Sequence, residues 1–200
     1  MTKVKICGLK REEDILYVNK LKPDYVGFVF AESVRKVDKY RAKELIQGLD
    51  RSIKKVGVFL NESMEKVNEI ADYCGLDVLQ FHGDENPKYC NSFQYEIWKA
   101  FRIKDIHSLN EFERYNVDGF LLDTYIKGEY GGTGKTFHWE MVSNISKSKN
   151  IILAGGLTSE NVSKAINTIH PMVVDVSSGV EVDGHKDFHK MKNFIESVRG

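Results

Sequence analysis

Cys7, Arg35, His82 and Asp123 each stand at or just beyond the end of a short apolar run, and two glycine-bearing turns close the last two such runs. A thiol such as Cys7 becomes a base or a nucleophile where its surroundings lower its pKa; otherwise it is a small buried hydrophobe. Asp123 ends Phe120-Leu121-Leu122-Asp123, where a carboxyl group serves either as a turn cap or as a general acid whose pKa burial raises. Arg35, in Ser33-Val34-Arg35-Lys36, carries the planar fork that clamps a carboxylate, and position alone leaves a solvated loop charge equally open. His82, in Gln80-Phe81-His82-Gly83, is a proton carrier or ligand by type, and a ring held by neighbouring backbone is the preferred reading.

The two turns are Leu153-Ala154-Gly155-Gly156-Leu157 and Asp175-Val176-Ser177-Ser178-Gly179-Val180-Glu181. Glycines let backbone N–H groups approach a phosphate, and serine hydroxyls add donors. Either turn alone reads as a conformational device. Their placement after consecutive apolar runs favours phosphate at Gly155, Gly156, Ser177, Ser178 and Gly179.

Other chemistries are excluded. Gly131-Gly132-Thr133-Gly134-Lys135-Thr136 resembles a phosphate-binding P-loop only superficially, because Glu129 stands where the first glycine belongs. The six histidines form no HxH pair, and Cys7, Cys74 and Cys90 have no CxxC spacing, so neither a metal site nor a disulfide framework is expected. Reduced thiols point to the cytoplasm, with Cys74 and Cys90 as buried helix residues. Twenty-nine basic residues cancel twenty-nine acidic ones, which argues against a nucleic-acid coat. No apolar stretch approaches the roughly eighteen residues that cross a bilayer, and no signal-peptide pattern opens the chain.

The elements that must position these groups alternate. Strands are expected at Val4–Cys7, Asp24–Phe30, Lys55–Leu60, Asp77–His82, Glu96–Phe101, Gly119–Asp123, Asn150–Ala154 and Met172–Val176. Helices are expected at Arg11–Leu21, Asp38–Gly48, Ser63–Tyr73, Asn86–Ser92, Ser108–Tyr115, Phe137–Ser146, Ser159–Ile169 and Asp187–Val198. Eight such units across 200 residues predict an α/β fold, a single (βα)8 barrel domain over residues 1–200, with an open doubly wound sheet as the alternative. In a barrel the chemistry lies where strands end, and that is where the reactive residues fall. Residues at the opposite ends, including Lys3, Asp24, Asp118 and Asn150, read as solubilising. The long segment from Thr124 to Thr136, with four glycines, reads as a ligand loop or lid.

Lys5-Ile6-Cys7-Gly8-Leu9, Gly27-Phe28-Val29-Phe30 with Ser33 and Arg35, Val56-Gly57-Val58-Phe59, Gln80-Phe81-His82-Gly83, Gly131-Gly132-Thr133-Gly134 and both glycine turns, with Gly184 and Lys186-Asp187, together resemble the phosphoribosylanthranilate isomerase family. The resemblance implies an aldose–ketose isomerase of L-tryptophan biosynthesis. It would convert N-(5-phosphoribosyl)anthranilate to 1-(2-carboxyphenylamino)-1-deoxyribulose 5-phosphate by an Amadori rearrangement. It implies Cys7 as general base, Asp123 as general acid, substrate contacts from Arg35, His82 and Asp175, and phosphate on the two turns. It implies a phosphorylated small molecule as partner, no cofactor or metal, no nucleic acid or membrane, and a monomer or homodimer.

This acid–base pair needs its pKa values pulled apart, so Cys7 is expected to be lowered, with Lys5 two residues away on the same face as a candidate cation. Val34 departs from the family's usual proline, which loosens the loop carrying Arg35. Phe81 stands where leucine is more frequent. Indole-glycerol-phosphate synthase would need a catalytic lysine and glutamate and an N-terminal extension; ribulose-phosphate epimerase would need metal-binding histidines and aspartates. A non-catalytic phosphosugar-binding barrel would tolerate loss of Cys7 and Asp123.

Overall fold

A computed structural model describes residues 1–102, 111–123 and 148–200. The elements run β1 (Lys3–Cys7), α1 (Glu12–Leu21), β2 (Tyr25–Val29), α2 (Lys39–Gln47), β3 (Lys54–Phe59), α3 (Met64–Cys74), β4 (Val78–Phe81), α4 (Pro87–Cys90), β5 (Glu96–Arg102) and β6 (Gly119–Asp123). They continue with β7 (Ile151–Ala154), α5 (Val162–Ile169), β8 (Val173–Val176), a 3₁₀ turn (Ser178–Val180), the short pair β9 (Glu181–Val182) and β10 (His185–Lys186), and α6 (Phe188–Arg199). All eight long strands pair in parallel in chain order, and β8 pairs back onto β1, so the sheet closes. Closure removes both sheet edges, and the open-sheet alternative falls.

Local sequence explains most boundaries. Asp38, Ser63, Asn86 and Asp187 cap α2, α3, α4 and α6, each accepting a first-turn backbone N–H through its side chain. Gly75 ends α3 in the left-handed conformation. The helix expected from Ser159 begins at Val162 instead. Ser159 spends its hydroxyl on Glu160, and Asn161 holds the turn by accepting from Thr158 N and donating to the Gly156 carbonyl. Of the helix expected over Ser108–Tyr115, a 3₁₀ turn at 111–114 is described. The helix expected over Phe137–Ser146 and the Thr124–Thr136 loop lie outside the described residues.

Two cores result. Between sheet and helices sit residues such as Phe28, Phe59, Leu79, Phe81, Leu153 and Phe194, all at most 1% exposed. Phe81 fits among the rings of Phe59, Tyr89 and Phe93, so the larger side chain finds an aromatic pocket. Inside the barrel, Tyr25, Val56, Val78, Trp98, Leu121, Ile152 and Val173 fill the lower half. Each fully buried aliphatic side chain there stabilises by about 1.5–3 kcal/mol. Cys74 and Cys90 are buried as free thiols.

At the strands' N-terminal ends, Asp24 accepts Val4 N at 2.9 Å, Asp77 accepts Lys55 N at 2.7 Å and Asp118 accepts Ile97 N at 2.8 Å. An aspartate preceding β2, β4 and β6 thus ties down the strand before it. This corrects the solubilising reading of Asp24 and Asp118: their carboxylates fix strand register.

Candidate active site

Side chains alternate along a strand, so Lys5 and Cys7 on β1, Gln80 and the following His82 on β4, Asp123 on β6, and Asp175 on β8 share the barrel interior above its apolar floor. Cys7, Arg35, Gln80, His82, Asp123 and Asp175 line one cavity of about 490 Å3 at the strands' C-terminal ends. Gly155, Gly156, Ser177, Ser178 and Gly179 line it as well. Every site residue expected from sequence is therefore on this one surface.

Gly27 makes room for the thiol: a Cβ there would lie 2.7 Å from Cys7 Sγ. Lys5, fully buried, donates to Asp175 Oδ2 at 2.7 Å and to Gln80 Oε1 at 3.0 Å. Burial opposes its charge, but Asp175 and Cys7 outweigh it and its pKa is raised. For Cys7 the balance goes the other way. Burial pushes the thiol up; Lys5 and Lys186 pull it down without winning. The expected cation is in place, but the expected lowering is not, because desolvation outweighs the two ammonium groups.

Among the described residues Asp175 Oδ1 is buried without a hydrogen-bond partner, although Oδ2 is held by Lys5. A buried carboxylate oxygen in that state has acceptor capacity to offer a donor. His82 corrects the backbone-held reading. Its Nδ1 lies 3.1 Å from Gln80 Nε2 and its Nε2 lies 3.4 Å from Asp123 Oδ2, so side chains on both sides hold the ring. His82 and Asp123 side chains are 26% and 28% exposed, reachable from the cavity.

Arg35 does make the two-pronged bond its fork allows, to Glu181: Nε–Oε1 2.8 Å and Nη2–Oε2 2.7 Å. Lys186 adds a bond to Glu181 Oε1 at 2.7 Å. Burial alone would raise Glu181, but Arg35 and Lys186 together hold it at about 2. The loop around Val34 is closed without proline, by Lys36 N donating to Ser33 O and Val37 N to Val29 O. Glu181 and Lys186 were missed as site residues; what signalled them was their place in the final glycine-bearing motif.

On the two turns, Gly155 and Gly156 have φ of +84° and +64°, a conformation that favours glycine. Gly179 is fixed sterically, since a Cβ would fall 1.9 Å from the Leu157 carbonyl oxygen, so the turns press against each other. The Ser177 hydroxyl donates to Cys7 O at 3.0 Å and lies 3.2 Å from Lys186 Nζ, tying the second turn to the end of β1.

The family model described as N-(5'phosphoribosyl)anthranilate (PRA) isomerase matches residues 4–197. A curated N-(5'-phosphoribosyl)anthranilate isomerase from Thermoanaerobacter sp. (strain X514) is 56% identical, over 100% of this chain and 99% of the relative. The crystal structure of phosphoribosyl anthranilate isomerase from Thermotoga maritima superposes with a TM-score of 0.90 at 36% identity, covering 100% of this chain and 99% of that one. Another structure of the enzyme, in complex with reduced 1-(O-carboxyphenylamino)-1-deoxyribulose 5-phosphate, gives a TM-score of 0.87 at 32% identity, with 100% and 99% covered. A closed barrel, a thiol and a carboxyl group facing one cavity, and this likeness along the whole chain lead to one assignment: the chain belongs to the N-(5'-phosphoribosyl)anthranilate isomerase family.

Proposed function

We infer that the cavity isomerises N-(5-phosphoribosyl)anthranilate to 1-(2-carboxyphenylamino)-1-deoxyribulose 5-phosphate, a step of L-tryptophan biosynthesis. The observation that carries this reading is that Cys7 and Asp123 line the same cavity as the two glycine turns. Asp123, as the acid, protonates the ribose ring oxygen while the C1′–O bond breaks, and the anthranilate nitrogen's lone pair forms the C=N bond. Cys7, as thiolate, takes the C2′ proton, and the C2′–H electrons neutralise the iminium to give an enolamine. Return of a proton to C1′ and loss of the enol proton at O2′ leave the ketone. Hydrogen moves within one molecule, so the balance needs no external oxidant or reductant.

The remaining roles follow from charge and donor inventory. Gly155, Gly156, Ser177, Ser178 and Gly179 hold the phosphate through backbone N–H groups and hydroxyls. Asp175 Oδ1 accepts the donor it lacks, the anthranilate N–H. Arg35 meets the anthranilate carboxylate by exchanging it for Glu181, a carboxylate already seated on the fork. His82 acts beside Asp123. The enzyme works in the cytoplasm as a monomer or homodimer; no helix among the described residues is long and apolar enough to cross a membrane.

The test generates the labile substrate in situ from anthranilate and phosphoribosyl pyrophosphate and follows loss of its fluorescence. Wild-type enzyme turns over, whereas Cys7→Ser and Asp123→Asn each lose about 10²- to 10⁴-fold in kcat. Equal rates in all three sink the acid–base assignment, and a folded wild type without turnover sinks the function.

A further inference from the structure

We propose that Lys5 and Gln80 are positioning residues that lock His82 in its Nε2–H tautomer and so decide which oxygen of Asp123 carries the acid's proton. The inference deepens the isomerase reading above, and its first half stands without it. It starts from donor inventory. A lysine ammonium only donates, so the Gln80 atom facing Lys5 Nζ at 3.0 Å is the carbonyl oxygen. The amide's other end, an NH2 that only donates, therefore faces His82 Nδ1 at 3.1 Å. Nδ1 must accept, and the proton of the neutral ring belongs on Nε2. Nε2 lies 3.4 Å from Asp123 Oδ2 and donates to it.

The chain Asp175–Lys5–Gln80–His82–Asp123 thus crosses the barrel interior with every donor pointing one way from Lys5 toward Asp123. Gln80 is 2% exposed and Lys5 fully buried, so water does not offer the amide an alternative partner that would let it flip. This gives the buried ammonium a second task besides neutralising Asp175. The consequence for Asp123 is specific. Oδ2 already receives Nε2–H, so a protonated Asp123 carries its hydrogen on Oδ1. When that O–H bond breaks and the proton passes to the ribose ring oxygen, the carboxylate left behind keeps the His82 bond on Oδ2.

The test is imidazole ¹⁵N NMR on the whole ligand-free enzyme at pH 8, where an ordinary imidazole is neutral, with His82 assigned from the signal missing in His82→Asn. Wild type shows Nε2 protonated and Nδ1 pyridine-like. A wild-type ring with Nδ1–H, or an averaged mixture, overturns the proposal. In Gln80→Glu the new carboxylate accepts from Lys5 and also from the ring, so Nδ1 becomes protonated; an Nδ1 that stays bare overturns it. Where Gln80→Glu does not fold, Gln80→Met removes the amide, and a mixed tautomer is expected; a single Nε2–H form overturns the lock.

Kinetics supply the second arm: Gln80→Met lowers kcat about tenfold with KM within about threefold, the split expected when orientation of the acid is lost but binding is kept. An unchanged kcat overturns the link to Asp123. If the tautomer holds while wild type turns over no substrate, the functional reading fails and the lock survives.

Discussion

At the foot of the barrel Asp24, Asp77 and Asp118 each accept a backbone N–H from the neighbouring strand, whereas at the mouth Asp175 is held by Lys5 and Asp123 by His82. The side chain is the same and its use is opposite. A carboxylate on a strand's own N–H ties down a register and leaves its surroundings as they were. A carboxylate on a buried ammonium shares that ammonium's desolvation, and among the described residues one Asp175 oxygen has no donor. Foot bonds stabilise individually and modestly, while the mouth holds interlocked charges whose pairing little exceeds their desolvation and whose breaking is severe. This is the division expected between the stability face and the reactive face of such a barrel.

The contrast breaks most visibly at Lys5. Lys5→Met leaves Asp175 buried without its cation and destabilises by about 3–5 kcal/mol in urea unfolding. A loss under about 1 kcal/mol means the mouth is no more interdependent than the foot. Next comes pH. Burial holds the Cys7 thiol above its ordinary 9.0, so the rate at which iodoacetamide alkylates Cys7 in the free enzyme rises with pH through the neutral range. The slope is about tenfold per unit while the thiolate is the minor form. Lys186→Met removes one of the two cations pulling the thiol down and moves that limb further alkaline; a limb that shifts to lower pH reverses the assignment.

At the foot, Asp24→Ala, Asp77→Ala and Asp118→Ala each lower stability by about 1 kcal/mol, with kcat within about twofold of wild type. Losses that add in the triple variant sharpen the comparison, since the three carboxylates share no partner. A tenfold fall in kcat from any one blurs it. The smallest effect is acid sensitivity at Glu181, held at about 2 against its ordinary 4.5. A folded-state pKa below the unfolded one gives stability that is complete above the unfolded value and fades as pH falls through the folded one. Thermal melts should therefore show wild type losing, between about pH 4.5 and 2, an advantage over Glu181→Gln that is constant above that range. An equal advantage at pH 2 and pH 6 excludes the link.

The rim residues were legible because strand ends can be read: an apolar run followed by Cys7, His82, Asp123 or a glycine turn fixes both the end of an element and what it delivers. Gln80 was less legible than His82, since a glutamine inside an apolar run reads as half-buried strand until its neighbour across the barrel is known. Glu181 was unreadable as Arg35's partner because 146 residues separate them. The solubilising reading of Asp24 and Asp118 failed for the same reason: the N–H groups they accept belong to the preceding strand, about 20 residues away.

The sequence by itself determined the (βα)8 plan, the caps that start most helices, the two glycine turns and the inventory of reactive groups, because each depends on spacing within one or two elements. Tertiary structure alone decided the balance of forces among those groups. Lys5 lay beside Cys7 in the sequence as it does in the fold, but the thiol is raised and not lowered, since desolvation is set by everything packed around it. Closure of β8 onto β1 brings Asp175 to Lys5, and the barrel's width brings Gln80 to the same ammonium. A donor count that no single element contains then orients His82.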